Sequence, residues 1–185
     1  MAGVKKLTTP LTDQDIRGLQ EGDRVAITGV IYTGRDAAHK NLVNALKDGQ
    51  PLPVDLKNQI IYYVGPTPAK PGQAIGSCGP TTSGRMDAYA PLLLELGLKG
   101  MIGKGPRNGQ VIDAMKKQGA VYFAAIGGAA AVIARSVKKS EVVAYPELGP
   151  EAIYRLEVED FPCIVAIDSA GNNLYESGAE KYRID

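Results

Sequence analysis

The segment Gly76-Ser-Cys-Gly-Pro-Thr-Thr-Ser-Gly-Arg-Met-Asp87 constrains this chain more than any other stretch. It gathers four glycines and prolines, three consecutive hydroxyl side chains (Thr81, Thr82, Ser83), and Arg85 four residues after Thr81. The hydrophobic period changes across it. Before it, Gln59-Ile-Ile-Tyr-Tyr-Val64 reads as a strand, and after it Met86, Tyr89, Ala90, Leu93 and Leu94 have the spacing of one buried helix face. The pattern predicts a glycine-rich turn that leaves a strand and opens a helix. Such a turn leaves backbone N–H groups without partners, and the positive end of a helix adds to their pull on an anion. Thr81 and Thr82 supply further donors or caps. Arg85 supplies a planar fork that matches a carboxylate. The residues alone point to a cradle for a carboxylate or a phosphate, with a tight turn and ordinary caps as the bland alternative.

The bulk of the chain narrows the class. A length of 185 residues predicts one domain, and a hydrophobic share of 44% is enough to bury a core. The net charge of +1 provides no basic field for nucleic acid, and Phe and Trp, the common base-stacking residues, are nearly absent. Cys78 and Cys163 are the only cysteines, which gives no disulfide framework. They are also too few to hold an iron–sulfur cluster, which takes about four thiolates, or three with an open iron site. No basic-then-apolar leader opens the chain, and no apolar run approaches the ~18 residues of a membrane span. The longest apolar run, Ala120 to Ala134, is broken by Gly127-Gly128. The expectation is a soluble, cytoplasmic protein with no membrane or nucleic-acid partner.

Taken in order, residues 4–9 alternate weakly, as an edge strand does, and Thr12-Asp-Gln-Asp15 has helix-start chemistry. Arg24 to Tyr32 is rich in β-branched residues and predicts a strand. Thr33-Gly34 then leads into a helix from Arg35 to about Lys47, on which Arg35 and His39 share a face. His39, the only histidine, suits either a hydrogen bond to a carbonyl or a role as proton carrier. Pro91 marks either a kink or the first turn of a new helix. Lys99 to Gly105 predicts a short strand running into a third glycine-rich turn, with Asn108 opening a helix from Gly109 to Gln118. Further expectations are a strand from Ala120 to Ile126, a turn at Gly127-Gly128, and an alanine-rich helix to Val137. A strand from Glu141 to Tyr145, a short helix from Pro150 to Arg155, and a core strand from Phe161 to Ile167 follow. Asp168-Ser-Ala-Gly-Asn172 reads as a hairpin turn into a strand at 173–176, ahead of a loose polar tail. Cys163 reads as an inert core residue. Cys78, though it lies in the cradle, is not assigned as a ligand.

The cradle from Gly76 to Arg85, the following Met86-Asp-Ala-Tyr89, and Gly100-Met-Ile-Gly-Lys-Gly105 together resemble the C-terminal region of class I, iron–sulfur-dependent fumarases and L-tartrate dehydratases. In that family the region is either the second domain of a long chain or a separate β subunit, and this chain has the length of the latter. The resemblance implies a three-layer β/β/α swivelling domain of the fumarase β-subunit type within the expected α/β class, spanning residues 1–185. It implies that Arg35 binds a substrate carboxylate, that Lys104 is a substrate contact, and that Thr81 is a candidate base. It also implies a partner α subunit that carries a [4Fe-4S] cluster, in an α2β2 assembly, with the cluster cysteines on that partner.

Strands alternating with helices favour an α/β fold. The three strand-to-helix turns at 33–40, 76–87 and 103–109 are expected to gather at one edge of the sheet. There they offer Arg35, Thr81, Thr82, Arg85 and Lys104, an inventory suited to a four-carbon diacid such as malate or fumarate, though a phosphate ester also fits. The chain is thus read as half a site for reversible dehydration of a 2-hydroxy diacid. Thr81 is the base by resemblance and His39 the chemically better one if it faces the cleft. L-Tartrate is the competing substrate. Readings from other classes are a mobile phosphohistidine carrier built on His39 and a stand-alone anion-binding module.

Overall fold

The computed structural model describes residues 3–125 and 130–181. Five strands run parallel in one sheet: β1 (Lys5–Thr8), β2 (Arg24–Thr33), β3 (Ile60–Tyr62), β4 (Gly100–Gly103) and β5 (Val121–Ala124). Two more, β6 (Val137–Ala144) and β7 (Ile153–Ile167), form an antiparallel pair. One edge of β7 pairs with β2 from Arg24 to Tyr32. Its other edge pairs first with β6 and then, from Ile164 to Ile167, with β5. The sheet therefore closes through β2, β3, β4, β5 and β7 back to β2, giving a mixed α/β fold on a small barrel. β1 and β6 flank the closed ring.

Strand alternation divides the apolar residues into two cores. Ile27, Ile31, Ile60, Tyr62, Phe123 and Phe161 belong to the core shared by all five closing strands, so they fill the barrel. Ile61, Tyr63, Met101 and Tyr122, one position out of phase, pack instead against Leu42, Leu93 and Met115. Those three side chains come from the helices α2 (Asp36–Lys47), α3 (Ala90–Glu95) and α4 (Gly109–Gln118), which cover one side of the barrel. The helix signals act as chemistry predicts. Thr12 and Asp15 make a reciprocal capping box on α1 (Asp13–Arg17). Asn108 caps α4 by accepting from Val111 N at 3.0 Å, and Gly119 ends it in the left-handed region.

Three expectations for the second half of the chain do not hold. Pro150 starts no helix to Arg155. Residues Pro146–Glu151 form a 3-10 segment broken by a kink at Gly149 (φ 57°, ψ −120°), and β7 begins at Ile153 and runs for 15 residues. The residues from Arg155 to Val158 are paired on both edges, by β2 and β6, which outweighs any local helical preference. Residues 173–176 are not a strand. Asp168 accepts hydrogen bonds from Ala170 N and Asn172 N, a single bridge joins Ile167 to Asn173, and helix α6 (Leu174–Lys181) follows. Helix α6 thus occupies part of the expected loose tail. The strand expected at Glu141 begins earlier, at Val137. The alanine-rich helix is α5 (Ala130–Ser136), while Ile126 and the turn at Gly127-Gly128 lie outside the described residues. No helix among the described residues is long and apolar enough to cross a membrane.

Candidate functional site

Strands β2, β3 and β4 are sheet neighbours and parallel, so Gly34-Arg35, Tyr63-Val64 and Lys104-Gly105 all leave the barrel at its C-terminal end. The cradle segment returns to that end as an extra ladder. Thr81 N donates to Tyr63 O at 2.7 Å, Lys104 N donates to Thr81 O at 3.3 Å, and Ser83 N donates to Lys104 O at 2.9 Å. Thr82 pairs with Lys104 in an isolated parallel bridge. The backbone from Thr81 to Ser83 is thus seated between the extensions of β3 and β4. Gly103 permits this approach, because a Cβ there would lie 1.9 Å from Ser83 Oγ. Ser83 itself is buried, 2.8 Å from the Tyr122 hydroxyl, which donates to Gly105 O. Tyr122 has spent its proton there, so Ser83 is the donor to it.

The cradle does not open an α-helix. Ser83–Met86 make one 3-10 turn, Thr82 caps it without a side-chain bond, and α3 begins only at Ala90 with Pro91 in its first turn. Arg85 therefore stands on a 3-10 turn, without the dipole of a long helix behind it. Pro91 has no N–H to give the Asp87 carbonyl four residues earlier, so a helix cannot run unbroken from the cradle into α3, and the Asp87 side chain is engaged elsewhere. Its carboxylate accepts from Arg107 Nε at 2.6 Å and from Asn108 N at 2.7 Å, which ties the end of the cradle to the start of α4. Arg107 is fully buried in its side chain and lies over the rings of Tyr63 and Tyr122, 5.3 and 5.1 Å from their centroids. No feature of Gly105-Pro106-Arg107 marks it in the sequence, because an arginine in a Gly-Pro loop reads as exposed. Tyr175 of α6 adds a second tie, its hydroxyl accepting from Gly105 N at 3.0 Å.

Arg35 is the N-cap of α2, and Asp36 is that helix's first residue. Asp36 Oδ1 accepts from Arg85 Nε at 2.9 Å, while its Oδ2 lies 3.9 Å from Arg35 Nε. One carboxylate thus joins an arginine from the end of β2 to an arginine from the cradle. Glu151 approaches from the 3-10 segment. Its Oε1 is 3.5 Å from Arg35 Nη2, and its Oε2 accepts from Ala37 N at 3.0 Å in the first turn of α2. Gly65 leaves room for this group, since a Cβ there would lie 2.6 Å from Arg35 Nη1. Thr82, Arg85 and Lys104 are exposed and Thr81 is half-buried. Asp36 and Glu151 were not among the expected site residues.

His39 lies beneath this surface. It is completely buried, with its ring edge-on to Tyr63 at 5.2 Å. Nδ1 lies 2.8 Å from Arg35 O and must carry the proton, because a carbonyl only accepts. Nε2 has no partner among the described residues. Burial pushes the imidazole down to about 4, against the pull of the Arg35 carbonyl, so it is neutral at ordinary pH. Cys78 is buried too, with its thiol pushed up to about 12, and its carbonyl accepts from the Tyr62 hydroxyl. Burial likewise raises Cys163. Among the described residues, no three His, Cys, Asp or Glu side chains are grouped to hold a metal ion. Two surface grooves of about 500 and 370 Å³ flank residues 66–77, and none of Arg35, Thr81, Arg85 or Lys104 lines them.

The Fumarase C-terminus family profile matches residues 3–178. The chain belongs to the Fumarase C-terminus family. Among relatives, it is 47% identical over 155 residues to "Fumarate hydratase class I, aerobic" of Escherichia coli (strain K12), covering 83% of this chain and 28% of that protein. It is 44% identical over 156 residues to "Fumarate hydratase 2" of Leishmania major, again covering 83% and 28%. It is 42% identical over 177 residues to "Putative L(+)-tartrate dehydratase subunit beta" of Methanocaldococcus jannaschii, covering 92% of this chain and 91% of that one. The chain thus spans under a third of these two fumarate hydratases and nearly all of the archaeal subunit. In this family member, the matched region includes the cradle, both arginines, Asp36 and Lys104.

Arg107→Ala is expected to cost about 3–5 kcal/mol, because it strands the Asp87 carboxylate. Urea unfolding checks this, and the paired change Arg107→Met with Asp87→Asn should cost much less. The neutral His39 sets a second expectation. The unfolded chain takes up a proton below about pH 6.5 that the folded chain refuses until about pH 4. Stability attributable to His39 therefore falls by about 3 kcal/mol between pH 7 and pH 4. Urea titrations of wild type and His39→Asn across that range should show the wild type losing more by that amount.

Proposed function

We propose that this chain is the β subunit of a heteromeric hydro-lyase that interconverts fumarate and (S)-malate, and that the cradle holds the dicarboxylate. The observation that carries the reading is the cluster in which Asp36 brings Arg35 and Arg85 together, three residues along the chain from Thr82, itself paired with Lys104. Two guanidinium forks, an exposed ammonium and two threonines match a ligand with two carboxylates and a hydroxyl. The near full-length match to a protein named as a β subunit supports a separate subunit. The two cores, one inside the barrel and one under α2, α3 and α4, support the finer assignment to a three-layer β/β/α swivelling type. The assembly is taken to be cytoplasmic and α2β2.

In this reading Arg35, Arg85 and Lys104 bind and orient the carboxylates. They stabilise the charge that grows as a proton leaves the carbon beside one of them. Thr81 acts in its deprotonated form, which the cations Arg85 and Lys104 favour; the alkoxide takes that proton and becomes the hydroxyl, the C–O bond at the neighbouring carbon breaks, and the departing hydroxide and the proton later returned by Thr81 make up the water released. The pinned backbone of Thr81, hydrogen-bonded through both its N–H and its carbonyl, supports a fixed position for its hydroxyl. His39 supports the site from below by holding the carbonyl of Arg35. Its burial counts against the phosphohistidine reading, because a phosphoryl donor needs access to the ring.

Two buried, protonated thiols do not fit an iron–sulfur cluster, and no step is assigned to one in this chain. The cluster belongs, in this proposal, to a partner α subunit. L-Tartrate dehydration is the second reading, favoured by the name of the archaeal relative. An anaerobic assay of this chain alone and with a cluster-loaded α subunit, using malate, fumarate and L-tartrate, tests the proposal. Turnover only in the mixture is expected, and no turnover of any of the three with a cluster-intact partner would sink it. In the active mixture, Thr81→Ala should lower kcat at least ~100-fold with little change in KM. Arg85→Lys should raise KM about tenfold, since the fork is lost while the charge remains.

A further inference from the structure

Arg85 is poorly prepared to bind anything by itself. It stands on a 3-10 turn next to Gly84, and its side chain is 52% exposed. A long, exposed arginine samples many rotamers, and ordering it on binding weakens the ligand's hold. Asp36 supplies the missing order. It sits at the start of a 12-residue helix, where the positive helix end favours its charge, and Arg85 Nε donates to its Oδ1 at 2.9 Å. A guanidinium has two usable edges in addition to single contacts. With Nε engaged, the edge formed by the two Nη groups is left for a second carboxylate.

The other oxygen of the same carboxylate faces Arg35. Asp36 Oδ2 and Arg35 Nε are 3.9 Å apart, and both are buried without a hydrogen-bond partner among the described residues. An acceptor and a donor left unpaired side by side form a contact that a small rotation closes, and each unpaired group favours that closure. Glu151 holds Arg35 from the far side. Asp36 therefore touches both arginines through separate oxygens, one bond made and one poised.

We infer that Asp36 is a positioning residue for the dicarboxylate. It holds Arg85 by Nε and sets its spacing from Arg35, so that each fork meets one carboxylate of the ligand. This rests on the reading of the cradle as a dicarboxylate site. It also makes a prediction opposite in sign to simple electrostatics. An acidic side chain beside an anion site repels the ligand, so its removal should tighten binding if repulsion were its main effect. A positioning carboxylate gives the reverse.

The test uses the full chain assembled with its cluster-bearing partner, comparing wild type, Asp36→Asn and Asp36→Glu. The expected result for Asp36→Asn is a KM for malate and fumarate raised about tenfold, the loss of one charge-assisted contact, with kcat changed by less than about twofold. Asp36→Glu, which restores the charge, should recover part of that loss. Circular dichroism and thermal unfolding identify a variant that has failed to fold, and the Glu variant then carries the comparison. An unchanged or lower KM in Asp36→Asn, with active wild type, overturns the role of Asp36 alone. Wild type that turns over neither malate, fumarate nor L-tartrate overturns the dicarboxylate site and this inference with it, and that outcome is visible before any variant is measured.

Discussion

The pairing of β7 with β2 is the constraint on which the architecture depends. Ten residues of β2 give a parallel sheet its start, but the sheet becomes a barrel because one long antiparallel strand joins its first part to β5. Closure fixes the twist of β2, β3 and β4 relative to one another, and with it the positions at which their C-terminal ends release Arg35, Tyr63 and Lys104. From Thr81 to Ser83 the cradle segment is laid into the space between two of those ends by backbone bonds. Because such bonds depend on no particular side chain, the side chains of Thr81 and Thr82 are left for other work.

Electrostatics at that end are more balanced than a list of cations suggests. Asp36 and Glu151 place two carboxylates among Arg35 and Arg85, and Asp87 neutralises Arg107 below them. The buried pair and the exposed cluster have different tasks. Arg107 and Asp87 lock the cradle to α4 where water is excluded and an unpaired charge is very costly. Asp36 is half-buried at the edge of the site, with one oxygen on the exposed Arg85, where an ion pair contributes little stability but can fix the direction of a side chain.

The first half of the chain was largely legible in the sequence because its signals are local. β2 and α2 follow from β-branched runs and periodicity, the capping box from Thr12 and Asp15, and α4 from Asn108. The gathering of Arg35, the threonines, Arg85 and Lys104 followed from three turns after neighbouring strands, and the two arginines are now seen joined through Asp36. At the cradle the break before α3 was legible in Pro91, but the tie of Asp87 to Arg107, twenty residues away in sequence, was not. The region from Pro150 to Arg155 misleads for a similar reason, since Ile153 to Arg155 are drawn into β7 by pairing with β6, and Arg155 also by β2. Asp36 and Glu151 gave no local signal because their importance lies in what they meet across the fold.

The closed ring leaves β1 and β6 as the outer strands of the sheet. Each carries two consecutive lysines, Lys5-Lys6 on β1 and Lys138-Lys139 on β6. Lysines on an edge strand disfavour the addition of a second copy's strand, although Lys5, Lys6 and Lys138 already lie within ion-pair distance of Asp23, Asp160 and Glu159 respectively. Association by extension of the sheet is thus penalised at both ends of the molecule, while the loop-built face with the arginine cluster carries no such guard.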